Sequence, residues 1–265
     1  MKQHGLLYQG KYKYKYVSYG DGAKAILEQS TIKFTDPLEF NDPFDCYPSY
    51  DEEKIIEVHR SLFKNLCVQS GVSPAKRMMK WKEVEAKFRV DEIDSSIQRT
   101  LQKQVGICSL TTKACNLLMW AHYAKNHTGL VFEFSNTIPK DMQEQSKYLC
   151  AMHVDYMECK PVIDMLDANY VHSFLVKGQD WQYEDEIRCL NLDGAGIYKY
   201  LPELLESVIL GAKISEKDEK EIKLIISRLN KVRKKPIALY KARLIKDKFK
   251  LYIPQHPVYG DMNWT

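Results

Sequence analysis

Residues 105–134 read VGICSLTTKACNLLMWAHYAKNHTGLVFEF, and this stretch indicates the fold class. It begins with a β-type run at 105–111, continues with helix-like apolar spacing at 116–124, and ends with a second strand at 130–134. Further strands are predicted at 14–17, 31–34, 149–156, 184–192, 208–210, 237–244 and 249–253, and helices at 23–28, 161–176 and 215–231. Because these strands neither alternate regularly with helices nor recur at even spacing, we predict an α+β fold.

Residues 51–104 have a helical pattern that interrupts the strands. An apolar stripe with a period of 3.6 runs from Ile55 to Leu66, and a highly charged stretch follows around 76–88. Gly71 and Pro74 mark a break between two helices. Because neither helix carries enough apolar surface to fold alone, we predict one domain over residues 1–265, with 51–104 as a helical insertion or lid.

Composition excludes several classes of protein. A hydrophobic fraction of 45% is ordinary for a globular chain, and the net charge of +4 is too small to indicate nucleic acid or membrane as a partner. The seven cysteines form no Cys-x-x-Cys pair, which argues against a disulfide framework or a zinc site. No apolar run has the length of a signal peptide or a membrane span, so we expect a cytoplasmic protein with reduced thiols.

The segment with the highest density of side chains suited to catalysis or binding is Trp181-Gln-Tyr-Glu-Asp-Glu-Ile-Arg188. On a strand, Glu184, Glu186 and Arg188 would share one face, because residues two apart point the same way. Two adjacent carboxylates can have one pKa raised, or can bind a cation or a sugar diol. The alternative is a solvated edge strand with a Glu186–Arg188 ion pair.

Three other places carry weaker signals. Ser109 and Thr111 share a strand face, from which hydroxyls could bind a ribose or orient a carboxylate. Met119, His122 and Tyr123 lie on one helix face beside Trp120, a pattern typical of a core but also compatible with an acid, a base or a phosphate contact. The turn that begins at Asn41 is either structural or part of a substrate loop.

Several uncommon sequence words occur together over residues 12–215. They are Tyr14-Lys-Tyr, Ile32-Lys-Phe, Phe40-Asn-Asp-Pro-Phe44, Cys108-Ser-Leu, Met119-Trp-x-x-Tyr123, His127-x-Gly129 and Trp181-x-Tyr-Glu-x-Glu-x-Arg188. In this order they resemble the bacterial "domain of unknown function 2971" family. That family name implies no activity.

A more distant resemblance links the chain to ADP-ribosyltransferases of the arginine-type clade. Those enzymes carry a basic residue on the first strand, Ser-x-Ser/Thr on a later strand and Glu-x-Glu or Gln-x-Glu beyond it. Here Lys15, Ser109-x-Thr111 and Glu184-x-Glu186 follow the same order, with Lys15 in place of the clade's Arg or His. The resemblance implies a mixed, mainly antiparallel sheet core and NAD as the substrate.

The resemblance also implies residue roles. Glu186 would hold the ribose 2′-hydroxyl and stabilise the oxocarbenium-like transition state, and Glu184 would position the acceptor. Lys15 would contact the dinucleotide phosphates, and Tyr123 would stack on nicotinamide. The full set of residues implied to bind the cofactor is Lys15, Tyr16, Asn41, Ser109, Thr111, Trp120, Tyr123 and Arg188.

These roles predict an ADP-ribosyltransferase-like toxin or phage-defence effector acting on a protein or nucleic-acid acceptor, with an antitoxin or regulatory partner and no membrane association. One alternative is a metal-assisted hydrolase or nuclease-like toxin that uses His122 or His127 with the two glutamates and a divalent ion. Another is a non-catalytic module whose charged helices dock a partner. This last alternative predicts that Glu186, Ser109 and Tyr123 do not line one pocket.

Overall fold

A computed structural model describes residues 6–86, 103–138, 140, 145–163 and 168–261. Its centre is a seven-stranded sheet, whose strands in spatial order are β13 (Ala238–Lys241), β12 (Leu205–Leu210), β5 (Leu130–Ser135), β1 (Tyr12–Val17), β4 (Gly106–Thr111), β10 (Glu186–Asn191) and β6 (Met152–His153). Within this sheet β12 and β13 pair in parallel, and every other neighbouring pair is antiparallel. The α+β fold with a mixed, mainly antiparallel sheet is therefore confirmed.

Four small two-stranded pairs join β2 (Thr31–Phe34) to β11 (Gly196–Lys199), β3 (Ser49–Tyr50) to β8 (Val162–Ile163), β7 (Asp155–Met157) to β9 (Val176–Gly178) and β14 (Arg243–Leu244) to β15 (Leu251–Tyr252). The α-helices are α1 (Asp21–Gln29), α2 (Glu52–Gln69), α3 (Pro74–Ala86), α4 (Leu117–His122), α5 (Gln145–Tyr148) and α6 (Glu216–Asn230).

Alternation along the central strands separates two hydrophobic cores. On β5, Phe132 and Phe134 enter the core covered by α1 and α6, whereas Val131 enters the core on the opposite face. On β4, Cys108 and Leu110 belong to the first core, so Ser109 and Thr111 face the other way, as their spacing predicts. Tyr14 and Tyr16 of β1 lie on the second face with Trp120 and Tyr259. This second face carries the candidate site.

Strands β1 and β4 separate soon after they meet. Strand β1 pairs with β5 along all six residues, but its pairing with β4 includes only Tyr14 opposite Thr111. In the gap, the ammonium of Lys15 donates to the main-chain oxygen of Ser109 at 3.0 Å. The gap gives side chains from both strands access to one cavity.

Three predicted elements differ from the structure. The helix expected at 161–176 is replaced by β8, a 3-10 helix at Ala168–Leu175 and β9, because the flanking residues pair with β3 and β7; residues 164–167 lie outside the described part. The strand expected from Glu184 begins at Glu186, because Asp185 ends a 3-10 helix (Gln179–Glu184) with a left-handed φ of 45°. Likewise, the run expected from Leu149 is split into β6 and β7.

The helical block contains the two helices that its pattern predicts. Helices α2 and α3 are separated by residues 70–73, where Gly71 has a positive φ of 69°. They pack on each other through Phe63 and Trp81, whose ring centroids are 5.5 Å apart. The rest of the predicted block, residues 87–102, lies outside the described residues. No helix within the described ranges is long and apolar enough to cross a membrane.

Candidate active site

A cavity of about 440 Å³ lies on the second face of the sheet, at the gap between β1 and β4. This volume is within the range of about 300–1,000 Å³ that is usual for small-molecule sites. Its walls include the aromatic side chains of Tyr14, Phe40 and Trp181. Eight of the ten predicted site residues line it, namely Lys15, Tyr16, Asn41, Ser109, Thr111, Tyr123, Glu184 and Glu186.

The two glutamates meet at one ammonium group. Nζ of Lys177 lies 2.6 Å from Oε2 of Glu184 and 3.1 Å from Oε2 of Glu186. All three side chains are almost fully buried, with 6% of Lys177, 3% of Glu184 and 4% of Glu186 exposed. The glutamates therefore converge although Glu184 lies on the 3-10 helix and only Glu186 lies on the strand.

The carboxyl group of Glu186 is held in its ionised form. Burial alone would raise its pKa, but the nearby charges of Arg188 and Lys177 outweigh this effect and lower the pKa to about 2. A hydrogen bond from the Ser109 side chain lowers the pKa further. Burial also acts to lower the pKa of Lys177, but Glu186 and Asp45 raise it above its ordinary value. Glu186 and Lys177 are therefore both charged at neutral pH.

Arg188 does not line the cavity, which corrects its predicted role in binding the cofactor. Its Nε and Nη2 donate to Glu186 at 2.9 and 3.0 Å, and Nη2 also donates to Asp45 Oδ2 at 2.7 Å. Nη1 donates to the Phe174 carbonyl at 2.8 Å and to Cys46 Sγ at 3.2 Å. The side chain is 0% exposed, and these bonds use its donors, so it supports Glu186 from behind.

Trp120 also lies outside the cavity, in contrast to the prediction. It is 0% exposed, and its indole N–H donates to the carbonyl of Ala114 at 2.9 Å. The ring packs edge-on against Tyr16, which itself lines the cavity. Trp120 is thus a core residue behind the cavity wall, the usual role of an aromatic residue at helical spacing.

Hydrogen bonds connect the cavity wall to Glu184. The phenol of Tyr123 donates to Glu184 Oε1 at 2.5 Å, and the hydroxyl of Thr111 donates to the Glu184 main-chain oxygen at 2.7 Å. Burial and the neighbouring Glu184 raise the pKa of Tyr123, so the phenol stays protonated as a donor. Asn116 caps α4, and its side chain also donates to the carbonyl of Tyr183. These bonds fix the 3-10 helix against β4 and α4.

The two histidines that the sequence analysis considered as an acid or a base, His122 and His127, have different positions relative to the cavity. His122 lines the cavity, where its Nδ1 lies 3.1 Å from the hydroxyl of Tyr183. His127 stacks on Trp120 outside the cavity, and burial together with Lys213 lowers its pKa. Only His122 is placed to meet a ligand in this cavity.

Sequence reasoning missed two charged residues of the site, Lys177 and Asp45. Lys177 follows the apolar run Phe174-Leu-Val176, and a lysine continuing such a run is the signal that could have indicated a buried ion pair. Asp45 directly follows the word Phe40-Asn-Asp-Pro-Phe44. It is 5% exposed, and it faces both Arg188 and Lys177.

One family model matches the central part of the chain. Residues 119–189 match the family model described as "Protein of unknown function (DUF2971)". This match supports the family predicted from the sequence words, and it includes the 3-10 helix, Lys177 and both glutamates of the cavity. Neither the curated proteins nor the solved structures include a significant match to this chain.

Proposed function

We propose that the chain is an ADP-ribosyltransferase-like enzyme that binds NAD in the cavity between β1 and β4. It would transfer ADP-ribose to a protein or nucleic-acid acceptor. The observation that carries the proposal is the pair of buried carboxylates, Glu184 and Glu186, held together by Lys177 at the wall of an aromatic-lined cavity. A carboxylate at this position is opposite in sign to the positive charge that develops on ribose as nicotinamide leaves.

An ionised carboxylate suits this leaving group. Cleavage of the bond between ribose C1′ and the pyridinium nitrogen returns the bonding electrons to nicotinamide, which departs as a neutral molecule without needing a proton. The positive charge moves to the ribose, where a preorganised carboxylate stabilises it. Hydrolysis of an ordinary O-glycoside needs a protonated carboxylic acid instead. A pKa of about 2 makes Glu186 unsuitable as such an acid.

The hydrogen bonds around the two glutamates favour Glu184 as the first contact for a ribose hydroxyl. An ionised carboxylate has about four acceptor positions. Glu186 accepts from four donors, namely two nitrogens of Arg188, the ammonium of Lys177 and the side chain of Ser109. Glu184 accepts from two donors, the phenol of Tyr123 and the ammonium of Lys177. A ligand hydroxyl can therefore bind Glu184 without displacing a donor, and Glu186 would act mainly by fixing Lys177 and the local charge.

Other lining residues have suitable chemistry for the rest of NAD. Lys15 donates to the Ser109 main-chain oxygen and also interacts with the Cys108 side chain, which leaves one ammonium hydrogen for a phosphate. Phe40, Tyr123 and Trp181 provide aromatic surface for the nicotinamide ring. In this proposal, the acceptor loses a proton as its nucleophilic atom bonds C1′, and His122 at the cavity wall is the candidate to take that proton.

The alternatives have less support. Lys177 already occupies the position between the carboxylates that a metal ion would need, and no group of three or more His, Cys, Asp or Glu side chains among the described residues is arranged so that it could hold a metal ion. A non-catalytic module predicts that Glu186, Ser109 and Tyr123 do not line one cavity, yet these residues share one. Toxin or phage-defence activity would follow from the identity of the acceptor.

The proposal is tested by incubating the full chain with NAD and a cell extract, and by measuring nicotinamide release and labelled ADP-ribose on acceptors. We expect Glu184→Gln and Glu186→Gln each to reduce release at least about a hundredfold. Glu219→Gln is a matched control, because Glu219 also lies between two lysines, Lys223 and Lys241, but on α6. If wild-type protein releases no nicotinamide, or if both glutamine variants match it, the proposal fails.

A further inference from the structure

The hairpin of α2 and α3 carries a second concave surface, distant in sequence from the carboxylate pair. A groove of about 260 Å³ is lined by Arg60, Phe63, Lys64, Pro74, Arg77, Met78 and Trp81. Its lining contains three cations and no acidic side chain, and the other residues are apolar. We call this surface the hairpin groove.

We propose that the hairpin groove docks an acidic, amphipathic helical segment of a partner protein. This inference does not depend on the NAD chemistry proposed above. Two helices in contact present a valley into which a third helix can pack its apolar ridge. Arg60, Lys64 and Arg77 would meet carboxylates that flank this ridge, and Met78 would contact its apolar side chains.

Charge complementarity indicates an acidic occupant. The acidic residues of the two helices stand at 52, 53, 57, 83 and 85, towards the end of the hairpin away from the connection at 70–73. Arg60, Lys64 and Arg77 line the part nearer that connection. Lys54, Lys80 and Lys82 accompany these acids, whereas the charged side chains that line the groove are all cations. The positive charge of the groove would attract an acidic helix and accelerate its association.

An exposed apolar side chain among the cations indicates a protein rather than a nucleic acid. Met78 lines the groove and is 65% exposed, and Leu62 and Leu66 of α2, outside the groove lining, are 55% and 63% exposed. Single-stranded nucleic acid binds through open aromatic faces on which bases stack. Here Trp81 is only 5% exposed, and Arg60 and Phe63 contact its ring at 5.9 and 5.5 Å.

Two further features fit a docking segment. The groove is smaller than the usual small-molecule site of about 300–1,000 Å³, which matches one or two inserted side chains better than a whole ligand. The indole nitrogen of Trp81 is buried and donates to no acceptor within the described part of the chain. A carboxylate or carbonyl of a docked segment would satisfy this donor.

The test uses the full chain and a fluorescent, helix-forming peptide of about 15 residues, with Glu on one face and Leu and Met on the other. A peptide of the same composition with its apolar periodicity scrambled is the first control, and a labelled oligothymidylate is the second. Fluorescence anisotropy should show micromolar binding of the amphipathic peptide and binding at least about tenfold weaker for both controls.

Charge reversal locates the binding surface. Arg77→Glu and Lys64→Glu should each weaken peptide binding at least about tenfold, whereas Lys217→Glu, the same charge change on α6, should leave it unchanged. Circular dichroism and a melting curve verify that the variants are folded. Absence of peptide binding overturns the proposal, as do equal binding of the scrambled peptide, stronger binding of oligothymidylate, or unchanged binding by both hairpin variants. Dimerisation that Arg77→Glu abolishes would assign the groove to a second copy of the chain and would also overturn it.

Discussion

Lys177 donates to Glu184 at 2.6 Å within a site where both side chains are almost fully buried. The same ammonium also bonds Glu186 and lies 3.5 Å from Asp45. Three acids and two cations, Lys177 and Arg188, therefore share one buried cluster with a net charge of −1 when all are ionised. One lysine separates charges that would otherwise repel each other.

Removing this ammonium should change both stability and the pH profile. Lys177→Met keeps much of the side-chain volume but leaves the glutamates without their shared cation, so we expect a loss of about 3–5 kcal/mol in the free energy of unfolding. The pKa of Glu186 should rise, and the acid limb of nicotinamide release should move to higher pH. Urea unfolding and pH–rate profiles measure these effects, with Lys217→Met as control. An unchanged acid limb would show that Lys177 does not set the ionisation of the site.

Acid should remove the contribution of Glu186 to stability. Because its folded-state pKa is lowered from 4.5 to about 2, this contribution is fully present above about pH 4.5 and is lost as the pH falls towards 2. The shift corresponds to about 3 kcal/mol. Urea unfolding at a series of pH values should show a flatter dependence between pH 4.5 and 2 for Glu186→Gln than for wild type. Parallel curves would contradict the lowered pKa.

The Tyr123 phenol should matter for activity more than for stability. Tyr123→Phe removes the donor to Glu184 Oε1 but keeps the ring, so we expect about 1 kcal/mol of destabilisation and at least about a tenfold slower nicotinamide release. Tyr198→Phe is a suitable control, because its hydroxyl donates to the Gly194 carbonyl outside the cavity. Equal effects of the two variants on release would remove Tyr123 from the site.

Gly129, in the sequence word His127-x-Gly129, should tolerate no side chain. A Cβ at this position would lie 2.2 Å from the carbonyl oxygen of Val17 and 2.9 Å from that of Ala124. Gly129→Ala should therefore destabilise the protein by more than about 2 kcal/mol. Gly22→Ala is the matched control, because nothing lies within 4 Å of a Cβ there and α1 should gain about 0.5–1 kcal/mol. Thermal unfolding of both variants separates the two outcomes, and a stable Gly129→Ala variant would be inconsistent with the close backbone approach.

The N-cap of α6 should contribute measurably to the stability of the protein. Asp218 follows Ser215 by three residues, a pattern close to a capping box, and the Ser215 hydroxyl accepts a hydrogen bond from the main-chain N–H of Asp218 at 3.1 Å. Ser215→Ala should reduce the free energy of unfolding by about 1 kcal/mol, and Ser215→Asp should retain it. If alanine and aspartate are equivalent in urea unfolding, the cap has no energetic role.

Local patterns in the sequence determined most of the elements that build the sheet. The alternation around Ser109 and Thr111, the cap at Ser215 and the break at Gly71 all depend on neighbours within a few residues. Such signals act through backbone geometry and burial on one face, so they are readable without the fold. The prediction of a helix at 161–176 is wrong, because the residues at both ends of this segment pair with β3 and β7. The periodicity of the segment itself does not encode these long-range pairings.

Some features of the candidate site could likewise be predicted from the sequence, and others could be seen only in the structure. The sequence by itself identified Glu184, Glu186, Ser109 and Tyr123 as candidate site residues, because their types and spacing are typical of catalytic and binding sites. Only the tertiary structure decided that Lys177 joins the two glutamates, that Arg188 reaches Asp45 across 143 positions, and that Trp120 and Arg188 lie behind the cavity wall. The physical reason is that a buried charge needs partners in space, and chain folding brings those partners from segments that share no local pattern.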